Sequence, residues 1–191
     1  MDRPLHPEAS HPSSASSDRP TVYTIGHSTR SLDDFITLLK AHSVAQLADV
    51  RTVPRSRRHP HFAADALSAS LPAVGIAYRH FPGLGGLRKP RRDSRNTAWR
   101  HEGFRGYADY MQTPEFERAL DDLVALAAAG PAAIMCAEAV WWRCHRQLTA
   151  DALVARGIDV RHITSAGVAP QHELTEFARV IDGKVTYPAL V

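Results

Sequence analysis

The sequence holds only two cysteines, Cys136 and Cys144, and only three lysines, Lys40, Lys89 and Lys184. Two thiols cannot supply the set of staples on which small secreted domains depend, and a chain of 191 residues is long enough to bury a full core without disulfides or a structural metal. Twenty arginines offset the shortage of lysine. The cationic side chains are thus almost all planar guanidinium groups, which grip oxyanions through paired hydrogen bonds. No apolar run reaches the roughly twenty residues that a helix needs to cross a bilayer. The amino terminus, Met1-Asp-Arg-Pro-Leu-His6, has no hydrophobic signal-peptide core. These absences predict a soluble, cytoplasmic chain with no membrane partner, whose cysteines stay reduced. Internal repeats and a second domain are also missing, and nothing in the sequence fixes an oligomeric state.

Several signatures are absent too. Gly83-Leu-Gly-Gly86 gives a close-approach loop but not the Gly-x-Gly-x-x-Gly spacing of a dinucleotide fingerprint. The two cysteines are not part of paired Cys-x2-Cys elements, so no closed zinc pattern is met, and no cofactor is predicted. A metal held by Cys136, Cys144, His145 and His27 is the less favoured reading. From Cys136 the first arginine, Arg143, lies seven positions on, which excludes the Cys-x5-Arg phosphatase loop.

What is present is an alternation of apolar and helical patterns. Residues 1 to about 19, rich in Pro, Ser and His, read as a disordered tail, and residues 20–191 as one α/β domain. Strands are expected at Val22–Ile25, Gln46–Val50, Ile76–Phe81, Ala132–Cys136 and Val160–Ile163. Ser31-Leu-Asp-Asp34 is a capping box opening a helix, and Thr113-Pro114-Glu115 opens another that Gly130 ends. Arg146 to Arg156 has helical spacing closed by Gly157, and a last helix is expected over about Glu173 to Ile181. Strands separated by helices imply a three-layer, Rossmann-like fold: a mainly parallel sheet with helices on both faces. Ligands bind such sheets beyond the carboxyl ends of the strands. There the sequence places Gly26, His27 and Ser28 after the first strand, Arg51 and Arg55 after the second, Gly85 and Gly86 after the third, and Cys136 and Glu138 after the fourth.

The densest stretch of chemistry runs from Cys136 to Arg146: Cys-Ala-Glu-Ala-Val-Trp-Trp-Arg-Cys-His-Arg. It joins a buried strand to a helix start, and the unpaired amides of a helix N-terminus attract anions and thiolates. Cys136 is a candidate nucleophile whose thiolate nearby cations would stabilise, against the alternative of a small buried hydrophobe. Cys144 has the better electrostatics at the helix start. Glu138 is either an acid or base, or a salt-bridge partner of Arg51, Arg143 or Arg146. His145 is a base, a metal ligand or a cap, and His27 is a ligand contact in a Gly-His-Ser turn. Ser28 supports that turn or binds an oxyanion, and Arg51, Arg55 and Arg146 are anion anchors whose alternative role is internal pairing. Tyr107 and Tyr110 line the pocket or pack beneath it, with packing preferred.

Thr24-Ile-Gly-His-Ser28, Asp49-Val-Arg51 with Pro54 and Ser56, Leu84-Gly-Gly86, Gly106-Tyr107 with Tyr110-Met111, Cys136-Ala-Glu138 and Cys144-His-Arg146 occur in one order along the chain. With these pieces the sequence resembles the bacterial family called domain of unknown function 488, from roughly Thr21 to Gly167. The resemblance implies a Rossmann-like domain and a shared polar site, and no reaction.

The function expected is an enzyme acting on a small anionic molecule, phosphate- or nucleotide-like, with catalytic candidates Cys136, His27, Glu138 and His145. Ser28, Arg51, Arg55, Gly85, Gly86, Cys144 and Arg146 would bind the anion. Two other classes stay open. One is a nucleic-acid-associated module using the clusters Arg51, Arg55, Arg57, Arg58 and Arg88, Lys89, Arg91, Arg92, Arg95, toward which the net charge of +3 gives a weak preference. The other is a redox sensor in which Cys136 and Cys144 form a reversible bridge.

Overall fold

The structure, a computed structural model, describes residues 20–189. The expected amino-terminal tail lies outside the described residues. Strands β1 (Thr21–Gly26), β2 (Gln46–Asp49), β3 (Ala77–His80), β4 (Ala132–Cys136) and β5 (Asp159–His162) form one five-stranded sheet in the order β3-β2-β4-β1-β5. All four pairings are parallel. Helices α1 (Leu32–Ala41), α2 (Ala64–Ser70), α3 (Glu102–Tyr110), α4 (Pro114–Ala128) and α5 (Arg146–Ala155) connect or follow the strands. The fold is the three-layer α/β arrangement that the alternating patterns require. Among the described residues, no helix is long and apolar enough to cross a membrane.

Strand periodicity divides the core in two. Val22, Ala48, Ile134 and Val160 face one side, where Tyr107 of α3, Phe116, Leu120 and Leu123 of α4 and Leu148 and Leu153 of α5 cover them. Ile25, Leu47, Ala133 and Met135 face the other, under Phe35 and Leu39 of α1 and Leu67 of α2. The period of two along β4 therefore aims Cys136, like Ala132 and Ile134, toward the α5 side. On β1 the same period, continued past Ile25, puts His27 on the α1–α2 side, where its ring stacks on Phe62 at 4.3 Å.

Capping chemistry sets the helix starts. The Ser31 hydroxyl accepts from the Asp34 amide, and the Thr113 hydroxyl accepts from that of Phe116, with Pro114 at the first helical position. The third strand is an edge strand, which explains its polar sequence: Tyr78 and His80 spend their polar ends on Asp49 and on the main chain of Arg51.

One expected element is absent. The segment from Glu173 forms no helix; it makes a single turn at Glu176–Phe177 and then enters a hairpin, β6 (Arg179–Ile181) paired antiparallel with β7 (Lys184–Thr186). The hairpin turns on Asp182 and Gly183, both at positive φ, as a two-residue Asp-Gly connection requires. Helical spacing loses here to a buried carboxylate: Asp151 accepts the Thr175 amide at 2.9 Å and its hydroxyl at 2.7 Å, fixing the backbone out of a helix. Asp151 also accepts from the Tyr187 hydroxyl and from His172 Nε2, so one side chain of α5 ties down three residues of the carboxyl-terminal segment.

Candidate functional site

Three side chains from two neighbouring segments converge at the carboxyl end of β4. Cys136 ends the strand, Cys144 closes a single 3₁₀ turn over Trp141–Arg143, and His145 is the residue before α5. Their two Sγ atoms and one imidazole nitrogen all lie within 4.8 Å of one another. His145 does not cap its helix; its Nε2 donates to the Val50 carbonyl at 3.0 Å. With the ring proton held there, Nδ1 carries the lone pair and faces Cys144 Sγ at 3.7 Å. The ring can lie so because residue 86 is glycine: a Cβ on Gly86 would stand 2.9 Å from His145 Nδ1.

Arg146 gives the cluster its charge. Its side chain is 1 % exposed and meets no carboxylate among the described residues. The guanidinium donates to the main-chain carbonyls of Glu138 and Ala139, and its Nε donates to Cys144 Sγ at 3.4 Å. A buried cation needs a counter-charge, and the Cys144 sulfur is the atom it touches that can become an anion. Accordingly Cys144 sits well below the ordinary thiol range, because its pairing with the neighbouring Cys136 thiol favours the thiolate, with the Arg146 guanidinium adding to the effect against the opposing pull of burial. Cys136 is pushed up by the neighbouring Cys144 and by burial, so it keeps its proton.

Residues of β1 and β2 make the adjoining wall. Arg51 is clamped by Asp49 through Nε at 2.8 Å and one terminal nitrogen at 2.5 Å, and it also donates to the Phe62 carbonyl. Its other terminal nitrogen points at His27 Nε2, 3.4 Å away. His27 donates from Nδ1 to the Ser28 carbonyl, and burial, with the Arg51 charge, lowers its pKa to about 4, so it is neutral near pH 7. Ser28 takes a positive φ of 50° and hands its amide to the Ala137 carbonyl, which ties the Gly-His-Ser turn to the loop after Cys136. Arg55 is exposed and has no hydrogen-bond or ion-pair partner among the described residues.

Two cavities open here. One, of about 300 Å³, is lined by His27, Arg51, Arg55, Ser56, Cys136 and His145. The other, of about 380 Å³, runs past Glu138, Arg143, Cys144, His101, Phe104 and Tyr107. Gly86, Leu87, Cys136, Ala137 and His145 line both, so the cysteine cluster lies where the two meet. A larger hollow at the opposite edge of the sheet holds one imidazole, His42, and no thiol, carboxylate or guanidinium.

The structure thus brings His27, Arg51, Arg55, Gly86, Cys136, Glu138, Cys144 and His145 to one cleft. Ser28 and Gly85 stand behind it, Gly85 against Thr52, and Arg146 lies beneath it with its guanidinium enclosed. His27 stands outside the group of metal-ligating side chains, which comprises Cys136, Cys144 and His145. Glu138 is exposed and makes no ion pair among the described residues; only its main-chain carbonyl meets Arg146. Tyr107 both packs and lines: it is buried, donates to the Leu84 carbonyl and borders the second cavity. Leu87, His101 and Phe104 are lining residues that the sequence reading passed over. The spacing of Phe104, Tyr107, Ala108 and Met111 carried the signal for α3, broken up by Gly103 and Gly106.

No curated protein and no solved structure matches this chain. The family model described as Domain of unknown function DUF488 matches residues 31–153. That stretch takes in Arg51, Gly86, Cys136, Cys144, His145 and Arg146, which meet in and under the cleft, and its length is well over half of the sequence. The chain therefore belongs to the DUF488 family.

Proposed function

We propose that the protein is an enzyme that holds a small phosphate- or carboxylate-bearing molecule in this cleft and presents it to the Cys136–Cys144–His145 cluster. The observation that carries the reading is the shared lining of the two cavities, which sets Arg51 and Arg55 on one side of the cluster and Phe104, Tyr107, Glu138 and Arg143 on the other. Arg55, unpartnered among the described residues and exposed, is the grip for the anion; Arg51, oriented and neutralised by Asp49, offers its remaining N–H groups behind it. Neutral His27 accepts from Arg51 and stands at the same wall. Arg146 acts through the sulfur it stabilises and not as a direct grip. Leu87, Phe104 and Tyr107 offer the second cavity an apolar surface suited to a ring or acyl body, and Glu138 stands at that end as a proton donor or acceptor.

The alternative of a nucleic-acid module draws less support, because part of the second arginine cluster is engaged within the fold. Arg88 lies 3.7 Å over the Tyr110 ring and bonds the Gly85 carbonyl, and Arg91 pairs with Asp93.

The test is a thermal-stability screen of the full chain against inorganic phosphate, nucleoside phosphates and dicarboxylates, repeated with Arg55→Ala. One or more anions should raise the melting temperature, and the variant should bind roughly tenfold more weakly, the loss of about 1.4 kcal/mol expected for one charge-assisted contact. Equal stabilisation of both proteins would remove Arg55 and this wall from the reading.

A further inference from the structure

We infer that Cys136, Cys144 and His145 form an open three-ligand site for a borderline-soft divalent ion of the zinc type, with its fourth position facing the cleft. The inference rests on the reading of this cleft as the working site only for its catalytic meaning; ion binding stands on the donor geometry alone. Three soft or borderline donors converge within 4.8 Å. In a tetrahedral zinc site, metal–sulfur bonds of about 2.3 Å and metal–nitrogen bonds of about 2.0 Å place ligand atoms roughly 3.5–3.8 Å apart. The separation of Cys144 Sγ from His145 Nδ1, 3.7 Å, is already that distance.

Groups around the three donors are arranged as an outer shell would be. His145 gives its Nε2 proton to the Val50 carbonyl, which fixes the tautomer and leaves Nδ1 to bind. Arg146 Nε donates to Cys144 Sγ, the contact that steadies a metal-bound thiolate. Gly86, lacking a Cβ, gives the imidazole room in this orientation.

Accessibility favours an ion over a lone nucleophile. Cys144, the sulfur on which the positive charge converges, is only 6 % exposed, whereas Cys136 and His145 are half-buried and line both cavities. Two thiolates neutralise a divalent ion. When the ion enters, the proton on Cys136 leaves to solvent. Three protein ligands with one open side is the pattern of a catalytic rather than a structural centre, and the open position would take water or an oxygen of the anionic ligand. No carboxylate belongs to the group, so a hard ion such as magnesium is excluded.

The experiment is an anaerobic titration of the metal-free, reduced full chain with cobalt(II), followed by absorption. One equivalent should produce a thiolate-to-cobalt charge-transfer band and the intense visible bands of a tetrahedral site, and zinc(II) should displace them. Cys136→Ser, at a half-buried position, should weaken binding at least tenfold while far-ultraviolet circular dichroism shows an unchanged fold. Absence of the charge-transfer band in the wild-type chain, or a band of equal strength in Cys136→Ser, overturns the site. The anion screen is run on the same metal-free chain, so the two ideas fail separately. Anion binding without a cobalt band removes the ion and keeps the cleft, and a cobalt band without anion binding does the reverse.

Discussion

Gly86 decides where the His145 ring lies. Adding a single methyl group at this position places it 2.9 Å from Nδ1, so Gly86→Ala must turn the imidazole away from Cys144 or shift the loop. We expect a loss of about 1–3 kcal/mol, the usual cost of overpacking, read as a lower urea midpoint with unchanged slope. The same variant should lose most of its cobalt affinity. Arg146 is the second decisive residue. Replacing it with Met keeps the volume but leaves the Glu138 and Ala139 carbonyls without their donor and Cys144 without its cation. Arg146→Met should cost roughly 3 kcal/mol in urea unfolding and should slow alkylation of Cys144 near pH 7, because the thiolate is no longer stabilised. At this scale the sequence was legible where residue type dictates chemistry: the two cysteines, His145 and Arg51 all reach the cleft. It was not legible where a partner is decided in space. Arg146 reads as an anion anchor from its place at a helix start, yet its guanidinium is enclosed by two carbonyls and a sulfur that no spacing rule ranks ahead of a ligand.

Among the elements, the strongest local signals held. A capping serine and a Thr-Pro start opened α1 and α4 where expected, and β1, β2, β4 and β5 lie within a residue or two of their apolar runs. The carboxyl-terminal segment did not follow its helical spacing. Thr175 is bound at two points by Asp151, a tertiary contact that a local pattern cannot contain, whereas the Asp182-Gly183 pair was a readable hairpin signal. Asp151 should therefore be the anchor of this segment. Asp151→Asn keeps the shape but removes the charge that takes four hydrogen bonds, from His172, Tyr187 and twice from Thr175. The expected outcome is destabilisation of roughly 3 kcal/mol and faster amide exchange from Thr175 to Tyr187, measured by mass spectrometry. Unchanged exchange there would show that the hairpin is held by other contacts. Because Trp141 stacks on His162 at 3.9 Å, and His162 Nε2 lies 3.0 Å from His172 Nδ1, this anchor also reaches the turn that carries Cys144.

For the molecule as a whole, buried neutral histidines predict an acid-sensitive fold. Burial lowers His162 to about 3 and His27 to about 4, against an ordinary value of 6.5. Between those limits the unfolded chain binds protons that the native chain refuses, so stability rises with pH across the window. The contribution is complete above about pH 6.5 and is lost progressively as pH falls toward 4 and then 3. Melting temperatures taken from pH 3.5 to 7.5 should climb through this window, and the climb should shallow in His162→Gln. A flat profile would mean that these rings are free to protonate in the fold.

The central claim is that the arginine wall and the sulfur–imidazole cluster form one binding site. Its most direct test is a histidine side-chain NMR titration of the metal-free chain with the anion that stabilises it most. His27 stands on the wall and His145 on the cluster, and both line the same cavity. Their ring signals should move together along a single saturation curve, while His42, at the far edge of the sheet, stays still. Movement of His27 alone, or of His42 with neither cleft residue, would contradict the account.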